Sequence, residues 1–341
     1  MAQIINFSDT SQPTDDALAD LQDLFNDKLQ GVETEIAKHM QSAAELIPAI
    51  SDHLIGAGGK RLRPLLTLSA ARISGYHGKD DVTMAAAVEF MHTATLLHDD
   101  VVDDSDMRRG KKTARTIWGN QASVLVGDFL LGQAFRMMVA AKSLEALEIL
   151  SRAAAVIAEG EVMQLAAMNQ PQTGEDKYLQ IIDAKTAALF AAASEVGGVI
   201  AGAGASEVEA LAAYGRNLGI AFQLIDDALD YGSVGQVLGK NVGEDFREGK
   251  LTLPVILAYH RSDEAARNFW NDSIANPDKT THDERFARAL DELKKNNALT
   301  DTIARAVHYG EKAKDALGLF PESETRTMLL RVVDFCIARA Y

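Results

Sequence analysis

Asp99, Asp100 and Asp103 form a DDxxD cluster in "LLHDDVVDDSDMRRG" (96–110), and Asp226, Asp227 and Asp230 repeat its spacing in "FQLIDDALDY". On an α-helix, positions i, i+1 and i+4 lie at about 0°, 100° and 40° around the axis, so each triad shares one face. Two carboxylates about 6 Å apart repel by roughly 0.7 kcal/mol in water and about 3 kcal/mol at an effective dielectric of 20. An open helix end tolerates that, and a solvated end is the plain reading of a single copy. In a cleft the same crowding demands a cation. The second copy is flanked by Phe222, Leu224, Ile225, Leu229 and Tyr231, which leave little solvated face. Aspartate is a poor helix former, and burying carboxylates without partners is costly. Two such patches suggest two helices facing each other across a cavity. Carboxylates without paired Cys or His ligands favour a hard ion. Mg²⁺ fits best, because it takes one or two carboxylates and completes its shell with water and substrate phosphate. Neither cluster has the central Gly and terminal Glu of a calcium loop.

A metal that holds phosphate calls for basic residues nearby. "GGKRLRP" supplies Lys60, Arg61 and Arg63, with Pro64 suited to a helix start. "RRGKKTAR" follows the first aspartates and carries Arg108 and Arg109. "AKTAALF" sets Lys185 and Thr186 in an apolar helix, where a lysine needs a partner or a route to water. "LGKNVGEDFREGKLTLP" brings Lys240 and Lys250 after the second motif. His92 lies two turns before Asp99 on the same face. Singly, these are solvated loops and a core histidine. Two acidic triads with four basic segments are hard to assign to solubility.

Helices must position these groups. The chain has 341 residues, 47% hydrophobic and 24% charged, enough for a large core. Proline in a helix interior costs about 3 kcal/mol, and none of the seven prolines falls between 64 and 171 or between 171 and 254. Ala, Leu, Met and Glu fill those gaps, and apolar residues recur at helical spacing, as in "YLQIIDAKTAALF". Alternating strand patterns are missing. Breaks are expected at 75–81, 169–176, 201–206, 231–245 and 276–284. The expectation is an all-α chain: a flexible tail over 1–15, then a single domain over 16–341. A net charge of −15 argues against non-specific nucleic-acid binding. The N-terminus lacks a signal pattern, and no run of about 18 apolar residues marks a transmembrane segment. The lone cysteine, Cys336, suits a reducing compartment, so a cytoplasmic location is expected.

The segments "GGKRLRP", "HTATLLHDDVVDDSDMRRGK", "VLVGDFLL", "AEGEVMQL", "KTAALF" and "GIAFQLIDDALDYGSVGQVLGKNVGEDFREGKLTLP" resemble, in register over roughly 58–258, the trans-type polyprenyl (isoprenyl) diphosphate synthases. The likeness is to the long-chain bacterial members that make quinone side chains. It implies the isoprenoid synthase fold, usually a homodimer, with a deep central cavity, and head-to-tail condensation of isopentenyl diphosphate with an allylic diphosphate primer. By match of position, Lys60, Arg63, His92 and Arg109 bind isopentenyl diphosphate. Asp99, Asp100 and Asp103 with Asp226 and Asp230 hold Mg²⁺, three ions per active site. Arg108, Lys185, Thr186, Gln223 and Lys240 hold the allylic diphosphate, with Lys250 near it. Residues 1–40 and 261–341 carry no usable motif.

Three rival readings fit less well. A terpene cyclase usually replaces the second DDxxD with an Asn/Asp–Ser/Thr–Glu site and does not need "GGKRLRP". A non-catalytic partner subunit should have lost metal carboxylates. A metal phosphohydrolase needs further spaced histidines. Product length is read along the first-motif helix, where Thr95, Ala94 and Met91 precede Asp99. Short-chain members carry an aromatic near the Ala94 position. Small or flexible residues here imply an open tunnel and a product of about eight to ten isoprene units (about C40–C50); a shorter-chain synthase is the alternative. Close helix packing is the other explanation of the alanine.

Overall fold

The computed structural model describes residues 16–55, 59–108, 110–232, 243–275 and 282–339. The expected tail over 1–15 lies outside them, as do Arg109 and Lys240. Seventeen α-helices fill the described residues. They are α1 (Asp16–Leu24), α2 (Asn26–His39), α3 (Leu46–Ile55), α4 (Leu62–Ile73), α5 (Asp80–Val102), α6 (Ala114–Trp118), α7 (Asn120–Ala140), α8 (Leu144–Ala167) and α9 (Glu175–Ile182). Then come α10 (Ala188–Ile200), α11 (Ala205–Asp230), α12 (Glu244–Arg247), α13 (Leu253–Arg261), α14 (Glu264–Ala275), α15 (His282–Lys295), α16 (Ala298–Ala316) and α17 (Glu324–Ala338). The longest four, α5, α7, α8 and α11, have 21 to 26 residues and fall within the proline-free gaps. The fold is all-α, as the composition implies.

The first motif ends α5 and the second ends α11. The α5 helix packs along α7 and α4, while α11 packs along α16 and α10. Two apolar cores meet on α11. Leu211, Tyr214 and Leu218 of its first half join the core built on α4, α5, α7 and α10. Ile220, Leu224, Ile225 and Leu229 of its second half join the core built on α9 and α13 to α16.

Two departures from the sequence expectation bear on the site. The stretch "YLQIIDAKTAALF" is not one helix. Between α9 and α10, Asp183–Ala187 form a single π-helical turn, which carries Lys185 and Thr186. Such bulges occur mostly within α-helices at functional sites. Gly160 of α8 allows the turn's close approach, since a Cβ there would lie 2.7 Å from the Lys185 amide nitrogen. On the other side, a Cβ on Gly219 would lie 2.7 Å from Ala187 Cα. Arg216 anchors the turn by donating from Nε to Asp183 Oδ1 at 2.6 Å. The second departure is a small antiparallel ribbon after the first motif, Met107–Arg108 against Lys111–Lys112. Gly110 completes its turn at φ 74°. Two residues per strand are too short to leave an alternating pattern.

One described helix, α7, is long and apolar enough to cross a membrane by length and composition. Ser123, Val126, Gly127, Leu130, Gln133, Ala134, Met137 and Met138 are buried within the protein. Val124, Leu125 and Val139 on its other face are exposed.

Candidate active site

The helix end at α5 divides its three aspartates. Asp99 and Asp103 keep 17% and 12% of their side-chain surface exposed, whereas Asp100 has none. The 100° step from Asp99 turns Asp100 into the protein, where its Oδ1 accepts from Nε and Nη2 of Arg108, each at 2.8 Å. Burial raises the Asp100 carboxyl above its ordinary value against the pull of Arg108. Asp100, expected among the metal ligands, thus pairs with Arg108, whereas Asp99 and Asp103 face lysines. The same ion pair fixes Arg108 on the ribbon.

Cations stand against the other two. Lys185 Nζ lies 3.9 Å from Asp99 and 2.7 Å from Glu161 of α8. Lys250 Nζ lies 3.1 Å from Asp103 and 2.7 Å from Glu248. Burial disfavours the Lys250 charge, but Asp245, Asp103 and Glu248 outweigh it and hold its pKa above the usual lysine value. Burial, and then Asp99, pushes the Glu161 carboxyl up to about 7, against Lys185. The quoted motif "AEGEVMQL" contains Glu161, yet nothing in its spacing gave this residue a role.

The second motif repeats the division with different partners. Asp227 is the buried member. It accepts from the Tyr178 hydroxyl and, at 2.8 Å, from Gln223 Nε2. Gln223 Oε1 in turn accepts from Thr186 Oγ1 at 2.9 Å. Thr186 and Gln223, expected together, are together, and this chain ties the π turn to α11. Burial pushes Asp227 up to about 6 despite the two hydrogen bonds, and Tyr178 well above its ordinary value. Asp230 accepts from the backbone N–H groups of Glu244 and Asp245 at 3.2 and 3.0 Å, so it caps the short α12. Asp226 accepts from Arg339 Nη2 at 2.7 Å. Arg339 also lies 5.0 Å over the Phe222 ring. It follows α17, within the stretch that offered no motif.

The first basic segment gathers beside α5. Arg63 lies 4.4 Å over the Phe190 ring, and its Nη1 donates to His92 Nε2 at 3.1 Å. A guanidinium only donates, so the imidazole accepts there as a neutral ring. Lys60 lies 4.5 Å over the Phe335 ring of α17. Of the expected chain-length residues, Met91 and Ala94 are enclosed, at 1% and 2% exposure. Thr95 is half-buried and donates from Oγ1 to the His92 carbonyl at 2.7 Å. A narrow cavity touches α5 at Glu89, Phe90 and Thr93, opposite Ile36, Met40, Ser51 and Leu130. Around the helix Phe90 is about 40° from Ala94 and Thr93 about 100°, so this space borders the Ala94 side without being centred on it.

The donor chemistry fits Mg²⁺. Asp99, Asp103 and Asp226 offer only oxygen, and two ammonium groups and a guanidinium lie against them. Among the described residues no three His, Cys, Asp or Glu side chains form a ready cage.

The polyprenyl synthetase family profile matches residues 44–293. The chain belongs to the polyprenyl synthetase family. It is a prenyltransferase of the long-chain trans type. The octaprenyl diphosphate synthase of Escherichia coli (strain K12) is 43% identical over 322 residues, 94% of this chain and 99% of that protein. A polyprenyl synthase structure from Caulobacter crescentus CB15, complexed with calcium and isoprenyl diphosphate, is 51% identical. It covers 95% of this chain and 98% of its own, with a TM-score of 0.91. The decaprenyl diphosphate synthase structure from Rhodobacter capsulatus is 47% identical over 95% of this chain and 99% of its own, also with a TM-score of 0.91. This family membership accounts for the paired motifs and for the shared fold.

Proposed function

We propose that this polyprenyl synthetase extends an allylic diphosphate with isopentenyl diphosphate, Mg²⁺-dependently, to a product of about C40–C50 for a quinone side chain. One observation carries the assignment of roles. Lys185 and Lys250 stand against the first motif, while Thr186 and Gln223 tie the same π turn to the second, so both motifs border one set of anion-binding groups.

In this reading Lys60, Arg63, His92 and Arg109 hold isopentenyl diphosphate. Arg108, Lys185, Thr186, Gln223 and Lys240 hold the allylic diphosphate, with Lys250 beside them. Asp99, Asp103, Asp226 and Asp230 would hold Mg²⁺, three ions in all, while Asp100, expected with them, is assigned here to seating Arg108; Asp230 also fixes the segment after α11. Held by these carboxylates, Mg²⁺ would supply positive charge to offset that of the leaving diphosphate. Cleavage of the allylic C–O bond leaves a delocalised cation and a highly charged anion. Fixed Lys and Arg groups stabilise that anion without reorganising. Apolar walls keep water from the cation. The C=C of isopentenyl diphosphate attacks the cation, a C–C bond forms, and a proton leaves to the departing diphosphate.

Two further assignments belong to this reading. Val124 and Leu125 of α7 and Val162 and Leu165 of α8 are exposed large apolar residues, and we assign their face to a homodimer contact. Leu125→Lys should then yield monomer in sedimentation; an undisturbed dimer would exclude that face. The cytoplasmic setting rests on the single cysteine. The main experiment incubates the purified protein with isopentenyl and farnesyl diphosphates and Mg²⁺, then separates the lipids by chromatography. Long all-trans products support the proposal, and a cyclised terpene or released phosphate alone defeats it. Ala94→Phe should shorten the product with condensation intact. If Thr93→Phe shortens it instead, the tail follows the cavity beside Phe90.

A further inference from the structure

We propose that Arg61 is a positioning residue for isopentenyl diphosphate: it fixes the segment bearing Lys60 and Arg63 and does not itself take the anion. The inference rests on the reading of that subsite given above.

In sequence Arg61 is indistinguishable from its neighbours, one of three cations in "GGKRLRP". Its guanidinium is committed elsewhere. Nε donates to Glu33 Oε1 at 2.7 Å, Nη2 to Glu33 Oε2 at 3.4 Å, and Nη1 to Glu89 Oε1 at 2.6 Å. Arg61 therefore ties the segment to both α2 and α5. Its side chain is 15% exposed, and that of Glu89 only 9%. Were Arg61 to swing to a diphosphate, Glu89 would remain buried without its counter-ion, and a buried carboxylate left so is strongly destabilising.

The backbone gives a second, independent argument. Arg61 has φ 48° and ψ 33°, a left-handed conformation that residues with a Cβ adopt rarely and only when their surroundings enforce it. This one residue turns the chain from the irregular segment bearing Lys60 into α4. Its carbonyl accepts the Leu65 N–H at 3.0 Å, starting the helix that carries Arg63. Gln22 of α1 donates to the Lys60 carbonyl at 3.1 Å on the other side of the turn. The fork of hydrogen bonds to Glu33 and Glu89 holds the turn, and the turn sets the separation of Lys60 and Arg63. Helices α1 and α2, which offered no motif, thus reach the subsite through a clamp.

Steady-state kinetics on the full-length enzyme separates a clamp from a ligand by sign. Glu33→Gln and Glu89→Gln remove negative charge beside an anion site. If Arg61 bound the diphosphate, freeing it would lower the KM for isopentenyl diphosphate. The clamp requires the reverse: both variants raise that KM, Arg61→Ala raises it about tenfold, and the KM for farnesyl diphosphate moves little. Arg61→Ala combined with Glu33→Gln should be no worse than Arg61→Ala alone, because both break one unit. A lowered or unchanged KM in Glu33→Gln, whose half-exposed site tolerates the change, together with a raised KM in Arg61→Ala, overturns the proposal. Lys60→Ala is the control. If it leaves the KM for isopentenyl diphosphate unchanged, the subsite reading fails instead.

Discussion

The two DDxxD motifs have one spacing and two supports. In each, the middle aspartate leaves the cavity for the interior, Asp100 at 0% and Asp227 at 3% exposure. Asp100 meets a guanidinium, whereas Asp227 meets a phenol and an amide. The last aspartate of the first motif pairs with Lys250; that of the second accepts two backbone N–H groups. The first motif is therefore held wholly by charge on long side chains, whereas in the second neutral donors hold Asp227 and Asp230 and only Asp226 meets a guanidinium. The difference teaches that one DDxxD spacing can be supported in two ways, with the middle carboxylate buried in both.

The sharpest test of that division is turnover. Asp99→Ala and Asp226→Ala should each lower kcat roughly a thousandfold, the loss of several kcal/mol of metal-held charge stabilisation. Asp100→Asn should cost far less, because it disturbs only the seating of Arg108. Should Asp100→Asn match Asp99→Ala in a single-turnover assay, the middle aspartate is a ligand after all.

Stability should rank the middle aspartates in the opposite sense. Asp227→Ala strands the Tyr178 hydroxyl and the Gln223 amide, and is expected to cost about 3 kcal/mol. Asp100→Ala strands only Arg108, which is one-third exposed and can turn to water, so about 1 kcal/mol is expected. Urea unfolding at fixed pH reads both. A larger loss for Asp100→Ala would mean that the charged support bears more of the fold than the neutral one.

The raised carboxyls also set a pH slope in metal-free protein. Glu161 goes from 4.5 to about 7 and Asp227 from 3.8 to about 6. Through that window the folded chain keeps protons that the unfolded chain has lost. Stability therefore falls as pH rises from about 4 to 7, by up to roughly 6 kcal/mol. Thermal unfolding in chelator should show the decline, and Glu161→Gln should flatten the part nearest pH 7. A rise over the same range would refute the assignment.

The smallest effect concerns Arg339, which neutralises Asp226 when no metal is bound. Arg339→Gln should tighten Mn²⁺ binding in substrate-free enzyme severalfold, because it removes a partly buried cation that competes for Asp226. Calorimetric titration decides it, and weaker binding would show that Arg339 assists the metal rather than competing with it.

Much of this was legible in residue order. Proline gaps and apolar period gave the helices, and the basic segments pointed to Lys185 and Lys250, which stand against the first triad. The assignments missed depend on contacts between distant parts of the chain. Asp226 and Arg339 are 113 residues apart, and Tyr178 and Asp227 are 49 apart. No local pattern marks Tyr178 off from any buried tyrosine. The burial of Asp100 was hidden for a different reason: a 100° step is compatible with one broad face, and only the packing of α5 shows that its carboxylate turns to Arg108.

The π turn at Asp183–Ala187 has one more consequence. Its i→i+5 pattern takes up one residue more than an α turn does. Straightening it into α-helix with all five residues kept would rotate every side chain beyond it by about 100°. Leu189, Phe190, Ala193 and Val196, all in the interior, would be carried off their neighbours. The irregularity that presents Lys185 is thus locked by the core: the turn cannot relax without unpacking α10.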